Sequence, residues 1–366
     1  MKSICFITTG DIINIATAKR ALGLANHLIA SGWKVYIIME DTEENRHRAK
    51  IECCEDVNIY FLTYNSAIDE LKKKNHLISQ IKPNYIYICA FVFRNIITSK
   101  SRSVKLVEHS ELQSAIQNIS FFKRMSFLFL EFYSIVYADG ILNASDYLQK
   151  LFKKWSKIVF WKKIPMLYFP YAYNKDVCYT EKTDDNLRND KLFVFLGSIV
   201  VNYGALVMVK AFEELQSYNA EAKLVMLGKG SDYDFIKKYI EDNNIKNIIL
   251  KGYIEEEEIP YYFSNASAFL LPINNTVQDK ARCPSKLYMY LPYMKPIITS
   301  RLGEPYITLG EKGLYFEPGS VHSLINTIND LFKFNNWSLE IEYEIHEWKK
   351  RTILFDNWIE TNFINL

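Results

Sequence analysis

The sequence predicts an α/β protein made of two Rossmann-like, doubly wound parallel-sheet domains facing a cleft. Short apolar runs bounded by turn residues alternate with longer segments of helical period, the pattern of βαβ units. That alternation occurs twice. A polar, charged stretch without period, "KDVCYTEKTDDNLRNDK", separates the two series and reads as an exposed connection. A chain of 366 residues is also too long for one ordinary core and suits two domains.

In the first series "SICFITT", "KVYIIM", "NIYFLT", "YIYICAF", "VKLVEH" and "GILNA" read as strands. Between the first two, "NIATAKRALGLANHLIASG" places Ala21, Leu24, Ala25 and Leu28 on one face and ends at Gly32, as a crossover helix should. The second series has strands at "KLFVFLGS", "AKLVMLGKG", "NIILKGYI", "SAFLLPI" and "KPIITS". Helices such as "ALVMVKAFEELQSY" and "DYDFIKKYIEDNN" separate them. Two such sheets in tandem put a ligand cleft at the carboxyl ends of their strands. The tail "IEYEIHEWKKRTILFDNWIETNF" carries Ile345, Trp348, Ile353, Phe355 and Trp358 at roughly helical spacing and should pack on another element.

Composition narrows the class. Apolar residues make up 49% of the chain and formal net charge is only +2, which describes a globular protein with no nucleic-acid partner. The six cysteines, Cys5, Cys53, Cys54, Cys89, Cys178 and Cys283, form no CxxC pair and no zinc spacing, so reduced thiols in a cytoplasmic compartment are expected. The opening run reaches Gly10 and Asp11 too early for a signal or membrane segment.

The chemistry concentrates in "ARCPSKLYMYLPYMKPIITS". Ser285 is a good N-cap residue, so "SKLYMYLPYM" should open a helix whose first N–H groups face the cleft. Arg282 and Lys286 would add two full charges to the positive helix end, a seat for a phosphate or diphosphate. Pro292 and Pro296 limit that helix to about two turns. A solvated helix start with two ordinary surface cations is the bland alternative.

This block, followed by "LGE" and "GLYFEPGSVHSLINTINDLF", resembles the C-terminal signature of retaining glycosyltransferases of the GT-B fold, the family-four or glycosyl transferases group 1 type. The likeness extends through "FLGS" with Gly204, "VMLGKG", "LKGYI" and "YYFSNASAFLLP", and so spans nearly the whole second half. In the first half "LANHLIASGWKVYII", the strand ending in His109, and "ADGILNASDYLQKLF" are similar more weakly. The tail resembles the family's last helix, which crosses back onto the first domain.

The resemblance implies an acceptor-binding domain over 1–173, a nucleotide-sugar-binding domain over 190–340, and a crossing helix over 341–366. It implies a nucleotide-diphosphate-sugar as co-substrate, a glycan or lipid-linked acceptor, and no metal or other cofactor. The expected catalytic residues are His109, Arg282 and Lys286, with His109 near the donor sugar. The expected donor contacts are Gly197, Ser198, Tyr203, Gly204, Gly252, Tyr253, Ile254, Pro272, Ser285, Lys286, Leu287 and Glu304. Four positions depart from the pattern: Ser198 and Tyr203 replace the usual basic pair, and Ala281 and Met289 replace the Glu-x7-Glu carboxylates. Two readings stay open. Either Arg282 and Lys286 carry the diphosphate, with Tyr203 adding a hydroxyl, or the chain is a catalytically silent GT-B domain that binds glycan or a partner glycosyltransferase. An epimerase on the same fold would need cleft carboxylates and histidines that the sequence does not assemble.

Other features have plainer explanations. Glu108 and Glu111 flank His109, and either would suit an acceptor-orienting or basic role. "SDYD", Ser231 to Asp234, contains an Asp-x-Asp step but opens a helix, where carboxylates cap. "EEEE", Glu255 to Glu258, reads as a solvated helix start. The segment "KLFKKWSKIVFWKK", 150–163, interleaves six lysines with aromatics beside the apolar helix "FFKRMSFLFLEFYSIVY", and suits contact with an anionic inner leaflet. A solvated lysine face over a buried aromatic side is the alternative there.

Overall fold

The computed structural model describes residues 2–12, 17–98, 102–175, 191–219, 221–333 and 338–363. The expected connection between the two series lies almost entirely outside the described residues. Two compact units result. One comprises Met1–Ala172, Ala281–Cys283 and Ile345–Leu366, and the other Tyr173–Lys280 and Pro284–Glu344.

The first unit is a seven-stranded, wholly parallel sheet of order β3-β2-β1-β4-β5-β6-β7. Its strands are β1 (Ser3–Ile7), β2 (Lys34–Glu40), β3 (Asn58–Leu62), β4 (Tyr85–Ile88), β5 (Val104–His109), β6 (Gly140–Asn143) and β7 (Met166–Tyr168). The central strands β1 and β4 are buried along nearly their whole length. They are accordingly continuous apolar runs rather than alternating ones. Helix α1 (Thr17–Ala30) lays Ala18, Ala21, Leu24, Ala25 and Leu28 on the core, and Gly32 follows it at φ +80°, a left-handed turn that glycine adopts without strain. Helices α2 (Glu43–Glu52) and α3 (Ala67–Ile81) each begin at a side-chain cap, Thr42 and Ser66. Helix α4 (Phe121–Tyr137) and helix α5 (Asp146–Ser156) likewise start at Ser120 and Ser145.

The second unit is a six-stranded parallel sheet of order β10-β9-β8-β11-β12-β13. Its strands are β8 (Leu192–Leu196), β9 (Lys223–Leu227), β10 (Ile248–Gly252), β11 (Ala268–Leu271), β12 (Ile297–Thr299) and β13 (Leu314–Tyr315). Helices α6 (Ala205–Gln216), α7 (Tyr233–Asp242), α8 (Ile259–Asn265), α9 (Val277–Ala281), α10 (Ser285–Tyr290) and α11 (Gly303–Leu309) lie between the strands, and α12 (Val321–Lys333) follows the last. Its core joins Phe193, Phe195, Met208, Phe212, Leu224 and Leu324.

The tail forms α13 (Trp348–Phe363), part of the first unit and packed on α1. Its buried face is Trp348, Thr352, Phe355, Ile359 and Phe363, whereas Ile345 and Ile353 are exposed. The expected apolar stripe therefore shifts by part of a turn: the three- and four-residue steps run from Trp348, and Ile345 precedes the helix. Helix and receiving surface interlock through two glycines. An added Cβ at Gly23 would lie 2.4 Å from the Trp348 ring, and one at Gly140 would lie 2.7 Å from Trp358.

Candidate functional site

In the second sheet the strand order reverses between β8 and β11, the place where open α/β sheets bind ligands. Four loops meet at the carboxyl ends there, and glycine lets them meet. The Gly197 N–H donates to Leu227 O at 2.8 Å and the Ile199 N–H to Lys229 O at 3.2 Å. A Cβ at Gly228 would stand 2.4 Å from Gly197 O, and one at Gly230 equally close to Ile199 O. Gly228 N–H in turn donates to Gly252 O at 2.6 Å, which ties in the loop that carries Tyr253 and Ile254. On the other side Gly204, at φ +86° ahead of α6, presses on Pro272 at the end of β11, with 2.6 Å from an added Cβ to Pro272 Cβ.

Helix α10 reaches this point through Tyr290. The Leu196 N–H donates to the Tyr290 hydroxyl at 2.9 Å, and the Tyr290 ring stacks on Phe269 at 4.2 Å. Lys286 lies four residues earlier, on the same face of the helix. Its ammonium stands 4.2 Å from the Phe195 ring centroid, a cation–π contact, and 2.2 Å from where a Gly197 Cβ would be. Gly197 also has φ +138°, so both backbone and space reserve the position for glycine. Behind α10, the Tyr288 hydroxyl donates to buried Glu304 at 3.1 Å.

Two expectations at this site need correction. Ser285 does not cap α10: Pro284 holds the N-cap position without a side-chain bond, and Ser285 is the first helical residue. The Leu287 N–H donates to Pro284 O at 3.0 Å, so the opening turn closes on its own backbone. Asp232 does not cap α7, because its carboxylate accepts from the Val201 N–H at 2.7 Å and anchors the loop after β8. Of the replaced residues, Ser198 is exposed, Tyr203 accepts from Gln278 at 3.4 Å, and Ala281 is buried in the first unit's core. Glu255 and Glu258 form a capping box at their helix start.

The other two expected catalytic residues belong to the first unit. His109 ends β5 and is buried, stacked on Phe152 with centroids 4.0 Å apart. Its Nε2 is 2.9 Å from Ser134 Oγ, whose proton goes to Glu131 O at 2.6 Å. Nε2 must then carry the imidazole proton and donate. Burial pulls the His109 pKa down to about 3, so the ring is neutral at ordinary pH. Arg282 faces Glu111: burial raises the carboxyl's pKa and the guanidinium opposes that rise.

Glu108 is not a base. One carboxylate oxygen pairs with Arg20 Nε at 2.7 Å and the other accepts from the Tyr87 hydroxyl at 3.0 Å, all deep in the first unit. The Arg20 guanidinium also lies 4.9 Å from the Phe169 ring, 4.7 Å from Tyr171 and 5.7 Å from Trp348. No local sequence signal marks this cluster, because Arg20 sits in the middle of an otherwise regular helix. A second buried cation is equally unmarked in the sequence. Lys74 of α3 donates to Glu70 at 2.5 Å, Asn95 at 2.7 Å and Thr8 O at 2.8 Å, and Asn95 donates to Thr9 at 2.6 Å. These bonds fix the loops that follow β1 and β4, at the switch point of the first sheet.

Residues 180–346 match the family model described as Glycosyl transferases group 1. Over that stretch the chain is similar to group 1 glycosyltransferases. No curated protein sequence matches it. Solved structures share its two-sheet GT-B architecture. Sucrose-phosphate synthase from Thermosynechococcus elongatus is 15% identical with a TM-score of 0.78, each chain covered over 100% of its length. The pneumococcal O-GlcNAc transferase GtfA, in complex with UDP and GlcNAc, is 10% identical with a TM-score of 0.75 over 99% of both chains. Anabaena HepE, in complex with UDP-glucose, is 10% identical with a TM-score of 0.69, over 99% of this chain and 96% of that one. These likenesses bear out the expected GT-B fold.

Proposed function

We propose that this glycosyltransferase moves a hexose or related sugar from a nucleotide-diphosphate-sugar to a glycan or lipid-linked acceptor, with retention at the anomeric carbon, in surface polysaccharide or glycoconjugate synthesis. The first unit takes the acceptor and the second the donor. The observation that carries the reading is the ammonium of Lys286 held at Gly197, where glycine loops after β8, β9 and β10 converge on the switch point. A diphosphate there meets a full positive charge on a preorganised support. Charge developing on the departing diphosphate is stabilised without reorganisation, the kind of effect that usually dominates such steps. The seat rests on Lys286 and the glycine loops rather than on the short helix α10. Tyr203 supplies a hydroxyl to a phosphate oxygen, Tyr253 and Ile254 border the base, and no metal is required. Neutral His109 supports the acceptor side as a positioning residue through Ser134, and Arg282 holds Glu111 toward its charged form. The UDP-glucose complex of one structural neighbour and the complex of another with UDP and GlcNAc support the donor class.

The test is nucleotide-sugar binding. Nucleotide-sugars with uridine, guanosine or thymidine bases are titrated against wild type, Lys286→Ala and Lys286→Met. At least one donor should bind and slowly hydrolyse, and both variants should lose at least tenfold in affinity while keeping the wild-type circular dichroism. The silent-domain reading is motivated by Ser198, Tyr203, Ala281 and Met289. Glycan or protein binding with no nucleotide binding would favour it.

A further inference from the structure

Helix α4 meets the core with a mixed face and turns its most apolar side outward. Glu131, Ser134 and Ile135 face the core, while Phe121, Phe122, Met125, Phe129 and Val136 are exposed. At about 100° per residue these five occupy an arc of roughly 100° on the solvent side. Phe122 is 85% exposed and Phe129 68%, so both rings stay largely in water even though Phe122 meets Phe121 edge-on at 5.9 Å and Phe129 stacks on Tyr133 at 6.0 Å. The patch continues beyond the helix. Lys162 Nζ donates to Val136 O at 2.7 Å and to Ala138 O, which pins the loop after α5 to the carboxyl end of α4. That loop exposes Ile158, Phe160 at 86% and Trp161 at 67%. An apolar surface of this extent on one unit marks an interaction site.

Its charges indicate the partner. From Ile119 to Ile164 there are eight lysines and arginines against three carboxylates, in a chain whose net charge is +2. One of the three, Glu131, is buried, and Asp146 is paired with Lys150 at 2.7 Å. Lys123 and Arg124 flank the exposed arc at the first turn of α4, and Lys153, Lys154, Lys157 and Lys163 are exposed on α5 and its loop. Protein interfaces are depleted in lysine. Aromatic rings rimmed by lysines are instead the make-up of a helix lying in the headgroup layer of an anionic bilayer. No helix among the described residues is long and apolar enough to cross a membrane, so contact would be in the plane.

We infer that α4 and the 158–161 loop together form a docking surface for an anionic lipid bilayer, with the exposed rings entering the acyl boundary and the lysines meeting lipid phosphates. This enlarges the membrane contact expected of 150–163 and makes α4 its main element. It does not depend on the transfer chemistry.

Flotation of the full chain with vesicles tests it. Vesicles of phosphatidylethanolamine and phosphatidylglycerol at 3:1 should carry the protein up the gradient, and phosphatidylcholine vesicles should not. The double variants Phe122→Ser/Phe129→Ser and Phe160→Ser/Trp161→Ser should each weaken partition at least tenfold. Lys153→Glu/Lys157→Glu should weaken it severalfold, as should raising salt from 0.1 to 0.5 M. All changes are at exposed positions, and an unchanged thermal midpoint checks folding. Failure of wild type to float with anionic vesicles would overturn the inference. So would micromolar self-association of wild type that the serine variants abolish, because a second copy would then cover the face. Vesicle binding with no nucleotide binding would leave this surface standing and remove the proposed function alone.

Discussion

The two units solve one problem, how to hold loops at the carboxyl ends of parallel strands, with different chemistry. The first uses buried charge: Arg20 with Glu108 and Tyr87, and Lys74 with Glu70 and Asn95. The second uses glycine and backbone bonds, with Gly197, Gly228, Gly230 and Gly204 letting loops approach until no Cβ would fit. The difference teaches where each unit is vulnerable. A buried ion pair fails when one partner is removed, since the other charge is left in a dry interior. A glycine junction fails when any side chain is added, and it fails locally.

The comparison breaks hardest at Arg20. Arg20→Met should leave Glu108 uncompensated and cost about 3–5 kcal/mol in denaturant unfolding of the first unit. Adding Glu108→Gln should recover part of that loss, an outcome a mere packing defect would not give. Next comes Gly197→Ala, where a left-handed φ and the Lys286 ammonium both oppose a Cβ. It should cost about 1–3 kcal/mol and displace Lys286, so donor affinity falls as well. Gly32→Ala is its control: the φ is +80° but nothing among the described residues lies within 4 Å of an added Cβ, so about 1 kcal/mol should be lost, with no effect on donor binding.

At neutral pH the smallest effect concerns His109, which shows only on acidification. Its folded pKa of about 3 lies below the ordinary histidine value of 6.5, so below pH 6.5 the unfolded chain binds the extra proton. Stability should therefore fall with pH by up to about 1.4 kcal/mol per unit below 6.5. His109→Gln can still donate to Ser134 and should flatten that slope by as much between pH 6 and 5. An unchanged slope would place the proton elsewhere.

Much of the sheet order's raw material was legible, because buried parallel strands are continuous apolar runs and their crossovers have helical period. Strands β7 and β13 were not read as such, being three residues and two residues long with no alternation to show. Lys286, Gly197 and Gly204 were legible through their motif and did prove to be neighbours of tight backbone junctions. The cap at Ser285 was misread because cap preference is a local rule, and Pro284 already held the preceding turn. The partner of a buried charge is invisible locally: Arg20 and Glu108 stand 88 positions apart, joined only when β5 and α1 pack.

The central claim is that Lys286 at Gly197 seats a diphosphate. Calorimetric titration of nucleoside diphosphates and their sugars against wild type and Lys286→Met tests it most directly, since methionine keeps the contact with Phe195 and removes only the charge. The account predicts saturable binding of at least one nucleotide to wild type and a loss of tenfold or more in the variant. Equal affinities, or no nucleotide bound by a folded wild-type protein, would contradict it.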